Sequence, residues 1–231
     1  MVVRNRDQHL DIIRGVAVLM MIVFHFVYDL NFFALIDIKL FSDIPYLIWR
    51  YLIVNLFLIA VGISLVISYQ KQILIAKFLK RLLYLAGAAI IVSIGTYIAF
   101  PTAWIYFGIL HLIWVLTIIA IFFVRLPKLS LLIAVIILLL DLNNYLDLAF
   151  LNNIFANYLP DYTLDFYPLF PWAAAMFIGI FLGHYPYYKK LFKVNNSLKF
   201  IRFFGRHALF VYLTHQLILF PMVWGLSFLF N

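Results

Sequence analysis

The chain has 231 residues, of which 67% are hydrophobic and 11% charged, with a mean hydropathy of +1.08. Soluble domains are nearer half apolar and a quarter charged, so a water-soluble globule is excluded. Apolar runs of about 20 residues suit a bilayer core and not the short alternating strands of a β-barrel. The net charge of +8 does not indicate nucleic acid, because the bases lie in short loops between apolar segments, and with no Cys there is neither a disulfide framework nor thiolate chemistry.

Seven spans are expected in chain order, at about 12–30, 46–69, 82–100, 105–124, 129–147, 166–184 and 207–229. They describe an all-α, polytopic membrane helix bundle forming one domain over residues 1–231. The first apolar run is long and its polar residues keep a helical register, so no cleavable signal peptide is expected. Pro101, Pro127, Pro160, Pro168 and Pro186 fall at or near predicted ends, where a missing N–H costs least. Pro221 falls inside the last span, where a kink is the expected consequence.

The bases set the orientation. With the N-terminus in the cytoplasm, Arg4, Arg6, Arg14, Lys71, Lys77, Lys80, Arg81, Arg125, Lys128, Lys189, Lys190, Lys193, Lys199, Arg202 and Arg206 are all inside, and only Lys39 and Arg50 are outside. This bias is the positive-inside pattern of a multi-pass protein of the plasma membrane, with the lipid bilayer as its first partner. The outer side carries Asp29, Asp37, Asp43, Asp141, Asp147, Asp161 and Asp165. Residues 185–206 interleave bases with aromatics and read as an interfacial helix held by anionic lipid. A phosphate-binding rim for a cytoplasmic cofactor is the alternative.

Ionisable groups within spans are costly and usually face the protein interior or a water cavity. In the first span Asp11, Arg14, His25 and Asp29 share a stripe about 60° wide, extending about 27 Å along the axis. Val18, Met21 and Ile22 lie between its two polar ends. His25 and Asp29 are one turn apart, so the carboxylate is expected to orient the imidazole for work as a general base or an acyl-accepting nucleophile. A structural polar pair tying helices together is the bland alternative.

Arg50, near the outer end of the second span, is placed to pair with Asp29 or Asp37, or to reach headgroups. His111 lies in the fourth span, and Tyr212 and His215 lie in the last. His25, Asp29, Arg50, His111 and His215 are expected to converge in the outer half of the bundle. No H-E-x-x-H and no pair of His at i,i+4 occurs, so no metal is expected; nor is there a G-x-S-x-G or Walker loop.

These motifs resemble a known family. The stretch Arg6-Asp7-Gln8-His9-Leu10-Asp11-Ile12-Ile13-Arg14-Gly15 resembles the R-x-x-x-L-D-x-x-R-G opening of transmembrane acyltransferases. With M-M-I-V-F-H-F-V-Y-D-L from Met20, L-F-L-I-A-V-G-I-S-L from Leu56, F-G-I-L-H-L from Phe107, the proline-rich helix of 165–182 and G-R-H-A-L-F-V-Y-L-T-H-Q from Gly205, it is similar to the heparan-α-glucosaminide N-acetyltransferase catalytic-domain family in its small prokaryotic branch. The resemblance runs in order along nearly the whole chain.

The resemblance implies acetyl transfer across a membrane, from cytoplasmic acetyl-CoA as thioester donor to an amine or hydroxyl of a small sugar or glycan acceptor on the other side. Asp11, Arg14 and Arg206 would serve the cofactor mouth, His25 and Asp29 catalysis, and Arg50, His111, Tyr212 and His215 the acceptor. In animal members His25 corresponds to an Asn, His111 lies near a Gln and His215 matches a His. The histidine those members carry after the first helix is missing, since no His occurs between Leu30 and Ile48. Two other classes compete. A proton-coupled small-molecule transporter would use His25, Asp29 and Arg50 as a relay, but no internal repeat supports it. A membrane scaffold would not require a charged stripe. A homo-oligomer is compatible with the sequence.

Overall fold

A computed structural model describes residues 6–40, 42–146, 160, 162–191 and 193–230. Arg4, Asp147 and Asp161, counted above for orientation and for the outer face, lie outside the described residues, as does the predicted end of the fifth span. The described part is all-helical, with no strand. In chain order the helices are α1 Gln8–Phe32, α2 Ile44–Tyr69, α3 Ile75–Ala99, α4 Ile109–Ala120, α5 Pro127–Leu142, α6 Ala173–His184, α7 Lys199–Arg206 and α8 Ala208–Phe230. Among the described residues α1, α2, α3 and α8 are long and apolar enough to cross a membrane. Shorter apolar helices are α4, continued by a 3₁₀ turn to Phe123, and α6.

The shorter helices differ from their predicted spans for identifiable reasons, some local and some distant in the chain. The first turn of α4 is fixed from outside by Asp165, whose Oδ2 accepts from Ile109 N–H at 3.1 Å, and from within by His111, whose Nδ1 accepts from Gly108 N–H at 3.2 Å. α5 starts with Pro127 in its first turn and stops at Leu142, followed by Asn144 at φ 56, a left-handed residue that Asn tolerates. Pro168 and Pro171 precede α6, and its helix begins only at Ala173. Pro221 sits inside α8, which continues to Phe230.

The interfacial helix expected over 185–206 is corrected. A 3₁₀ turn covers Tyr187–Lys190, another covers Asn196–Leu198, and only Lys199–Arg206 is α-helical. Pro186 and the turn-forming Asn195-Asn196-Ser197 interrupt what composition alone reads as one element.

The described chain divides into two compact units, with the division inside α2. The first holds residues 1–57 and 187–231, the second residues 58–186. In the first unit, Met21, Phe24, Leu40 and Ile53 form a buried cluster flanked by Trp49, Phe57 and Tyr212. Trp49 meets Phe24 edge-on at 5.5 Å between ring centroids, and Phe57 meets Tyr212 at 6.5 Å.

α1 packs on both α7 and α8. The α1–α7 crossing is close because both helices carry glycine there. A Cβ on Gly15 would collide with the Ile201 carbonyl, and one on Gly205 with the Asp11 carbonyl. Small residues at such crossings let membrane helices approach to backbone contact. α1 and α8 run parallel: His25 meets His215, Asp29 meets Gln216, and Phe32 and Phe33 meet Phe220.

In the second unit the same device joins α2 to α6. A Cβ on Gly62 would strike the Met176 carbonyl, one on Gly179 the Ile59 carbonyl, and one on Gly183 the Val66 side chain. The C-terminal carbonyls of α2 are capped by Arg125, whose Nε and Nη2 donate to Gln70 O and Lys71 O, each at 3.2 Å.

Candidate active site

The polar stripe of α1 turns inward. Asp11 and Asp29 retain 1% and 0% of their exposure, and Val18 and Met21, between them, are also buried. Its two polar ends belong to two separate clusters.

The first cluster lies at the N-terminus of α1. Asp11 accepts from Arg6 Nε at 3.0 and 2.8 Å. Arg206 Nε approaches the same carboxylate at 3.6 Å and Arg14 Nη1 at 3.9 Å. A buried carboxylate without a cation is strongly unfavourable, and three guanidinium groups surround this one. Asp11, Arg14 and Arg206 are thus brought together, with Arg6 as a fourth member that the sequence reading did not single out.

Beside them Asp7 caps α1, accepting from His9 N–H at 3.0 Å and Leu10 N–H at 3.2 Å. Its other oxygen takes the Tyr188 hydroxyl and the Lys189 ammonium, each at 2.9 Å. Burial pushes the Asp7 carboxyl up, but the hydrogen bonds from Lys189, Tyr188 and Leu10 outweigh it and hold the group below its ordinary value. Burial and the neighbouring Asp7 carboxylate raise the Tyr188 phenol above its ordinary range. Arg202 hydrogen-bonds Gln8. The bases of the 187–206 segment that sequence reading assigned to lipid or phosphate are therefore turned in part onto the α1 N-terminus.

The second cluster lies toward the other end of α1. The rings of His25 and His215 meet edge-on, with centroids 4.6 Å apart and planes at 78°. His25 Nδ1 lies 2.9 Å from Met21 O and His215 Nδ1 lies 2.7 Å from Tyr212 O. A carbonyl oxygen only accepts, so both Nδ1 atoms carry the hydrogen. In the neutral rings the lone pair is then on Nε2, the atom a base or nucleophile uses. Tyr212, one turn before His215, also contributes its ring, 5.8 Å away between centroids.

The expected His25–Asp29 hydrogen bond is not formed. The Met21 carbonyl, one turn back on the same helix, takes the His25 Nδ1–H, and the partner of Asp29 is Gln216, whose Nε2 donates to Oδ1 at 3.1 Å. A carboxylate accepts, so the amide nitrogen of Gln216 must face it and the amide oxygen faces away. Asp29 Oδ2, Gln216 Oε1 and His215 Nε2 are buried with no hydrogen-bond partner among the described residues. Gln216 is the site residue that sequence reasoning missed. It directly follows His215 in the last span, and an uncharged amide there lacks the ionisable group that marks a costly residue in a membrane.

Arg50 lies in the α2 part of the same unit, its guanidinium 5.7 Å from the Tyr51 ring centroid and one residue from Trp49. His111 lies in the second unit. Its Nε2 is 3.1 Å from Ser93 Oγ, which itself donates to Ile105 O at 2.7 Å. Ser93 Oγ therefore accepts from Nε2–H, and Nδ1 accepts from Gly108 N–H, so both ring nitrogens are engaged in holding the start of α4. Among the described residues no three His, Asp or Glu side chains are grouped as a metal site would require.

Residues 6–217 match the family model described as heparan-alpha-glucosaminide N-acetyltransferase, catalytic. No curated protein and no solved structure matches the chain.

Proposed function

The chain belongs to the heparan-alpha-glucosaminide N-acetyltransferase catalytic-domain family, and on that footing we propose that it moves an acetyl group from cytoplasmic acetyl-CoA to an amine or hydroxyl of an extracytoplasmic, glycan-type acceptor. The observation that carries this reading is one helix face with a different polar cluster at each end. Arginines gather around Asp11 at one end, and two imidazoles with free Nε2 lone pairs stand at the other.

The parallel course of α1 and α8 supports a multi-pass topology. If only α1, α2, α3 and α8 crossed the membrane, α8 would run opposite to α1. Parallel packing calls for an odd number of further crossings between α3 and α8. Three, supplied by α4, α5 and α6, make seven in all. The positive-inside bias supports a cytoplasmic N-terminus, and the reading is of a plasma-membrane protein.

The N-terminal cluster fits a polyanionic donor. Arg6, Arg14, Arg206 and Lys189 outnumber Asp7 and Asp11, and planar guanidinium groups bind phosphate oxygens in pairs. Acetyl-CoA, when bound, supplies an acetyl group activated as a thioester. His25 Nε2 either takes the proton from the acceptor or carries the acyl group itself. Its Nδ1–H stays on Met21 O and fixes the ring. Asp29, His215, Tyr212 and Arg50 serve the acceptor side. The hydrogen bonds of His111 favour a supporting role in the second unit over direct contact with the acceptor.

The test is CoA release from acetyl-CoA by purified protein in detergent, beside His25→Ala, with intact mass recorded on the same samples. Release that disappears in the variant is expected. A gain of one acetyl on the wild type would identify the covalent route. A well-folded wild type that neither binds acetyl-CoA nor releases CoA would overturn the proposal.

A further inference from the structure

Asp29 retains none of its exposure, sits in a membrane-spanning helix, and has Gln216 as its hydrogen-bond partner. That single bond uses one carboxylate oxygen and leaves Oδ2 over, while Gln216 in turn is left with Oε1. Both atoms accept hydrogen bonds, and neither can satisfy the other unless a proton or a donor stands between them. His215, the residue before Gln216 on α8, adds a third acceptor in Nε2. Polar atoms buried in a span are almost always paired, because an unmade bond there costs the full desolvation of the group. Three acceptors on neighbouring residues, without a donor among the described residues, call for a donor from outside the chain.

Building on the acyl-transfer reading, we infer that Gln216 and Asp29 form the acceptor subsite, reading a group that presents at least two N–H or O–H donors. An amine or a pair of neighbouring sugar hydroxyls has this chemistry. Gln216 is a positioning residue with two duties. Its amide nitrogen holds the Asp29 carboxylate, and its amide oxygen takes a donor of the acceptor molecule. His25, one turn back from Asp29 on α1, then stands beside the bound group. An apolar or purely hydrogen-bond-accepting molecule would leave all three atoms unpaired and is rejected for that reason.

The test is direct binding of glucosamine (the amine arm) and glucose (the hydroxyl arm) to the full chain in detergent by calorimetry. Wild type is compared with Gln216→Met, which keeps the length but removes both polar atoms, and with Gln216→Asn, which keeps the amide. CoA release from acetyl-CoA is followed on the same samples. Wild type is expected to bind at least one sugar, and which arm binds distinguishes amine from hydroxyl reading. Gln216→Met is expected to weaken that binding by roughly fivefold or more, with Gln216→Asn intermediate and the KM for acetyl-CoA unmoved. A wild type that binds neither sugar overturns the inference, as does Gln216→Met binding as wild type does or raising both KM values together. Sugar binding that depends on Gln216 in a protein that releases no CoA would keep the subsite and remove the acyl-transfer reading. If Gln216→Met fails to fold, Gln216→Asn decides alone, and unchanged binding by it overturns the inference.

Discussion

His25 and His215 come from helices at opposite ends of the chain, yet their rings meet with centroids 4.6 Å apart and both give their Nδ1–H to a backbone carbonyl of their own helix. The backbone thus sets the tautomer of both rings, a task that carboxylates perform in many catalytic sites. Locked in this way, each neutral ring carries its lone pair on Nε2.

His25→Phe should separate chemistry from packing. Phenylalanine keeps a ring against Phe24 and His215 but has no Nε2. Acetyl transfer is expected to fall by about 10²–10⁴-fold, the usual contribution of a general base, or to vanish if His25 carries the acyl group. The melting temperature in detergent should stay close to wild type. Transfer at the wild-type rate would remove His25 from the chemistry.

Gly205→Ala should destabilise the first unit. The added methyl points at the Asp11 carbonyl, a backbone atom that cannot swing away. Overpacking of this kind costs about 1–3 kcal/mol. Gly87→Ala is the control, because nothing lies within 4 Å of its Cβ and alanine is the better helix former. Thermal unfolding of the two variants should shift in opposite directions or leave Gly87→Ala unchanged.

Asp7 predicts an acid-sensitive anchor. Its carboxyl is held below the ordinary value of 3.8 in the folded chain, so the unfolded chain takes up the proton first as pH falls. The stabilisation is complete above that ordinary value and is lost as pH drops through the lowered folded one. Asp7→Ala should therefore cost about 1 kcal/mol at neutral pH, through the lost cap, and progressively less below pH about 4. Melting curves of both proteins from pH 7 to pH 3 measure the difference. A gap that is constant throughout would contradict the Asp7–Lys189–Tyr188 contact.

The chain has no Cys, so single cysteines report sidedness cleanly. Asp43→Cys should react with a membrane-impermeant maleimide on intact cells. Lys128→Cys should react only after permeabilisation. Labelling of both from outside would contradict the inside location of the bases and the crossing by α4.

Much of this protein is legible in the chain itself. Hydropathy and composition are local, so α1, α2, α3 and α8 appear where apolar runs predict them. Helical periodicity is local too, and it put Asp11 and Asp29 on one face that proved to be buried. The shorter elements were harder to read, because their ends depend on distant groups such as Asp165 at the start of α4.

Partners are what only the tertiary structure decided. A period of 3.6 residues says which side of α1 faces inward, but not which side chain waits there. Asp29 could have turned to His25, four residues back; packing of α1 against a parallel α8 gave it Gln216 instead, 187 residues away. The same holds for Asp11 with Arg206 and for Asp7 with Tyr188 and Lys189. The Asp11–Arg206 pair lies where glycines let α1 and α7 touch, and in all of these pairs only long-range packing selects which acceptor meets which donor.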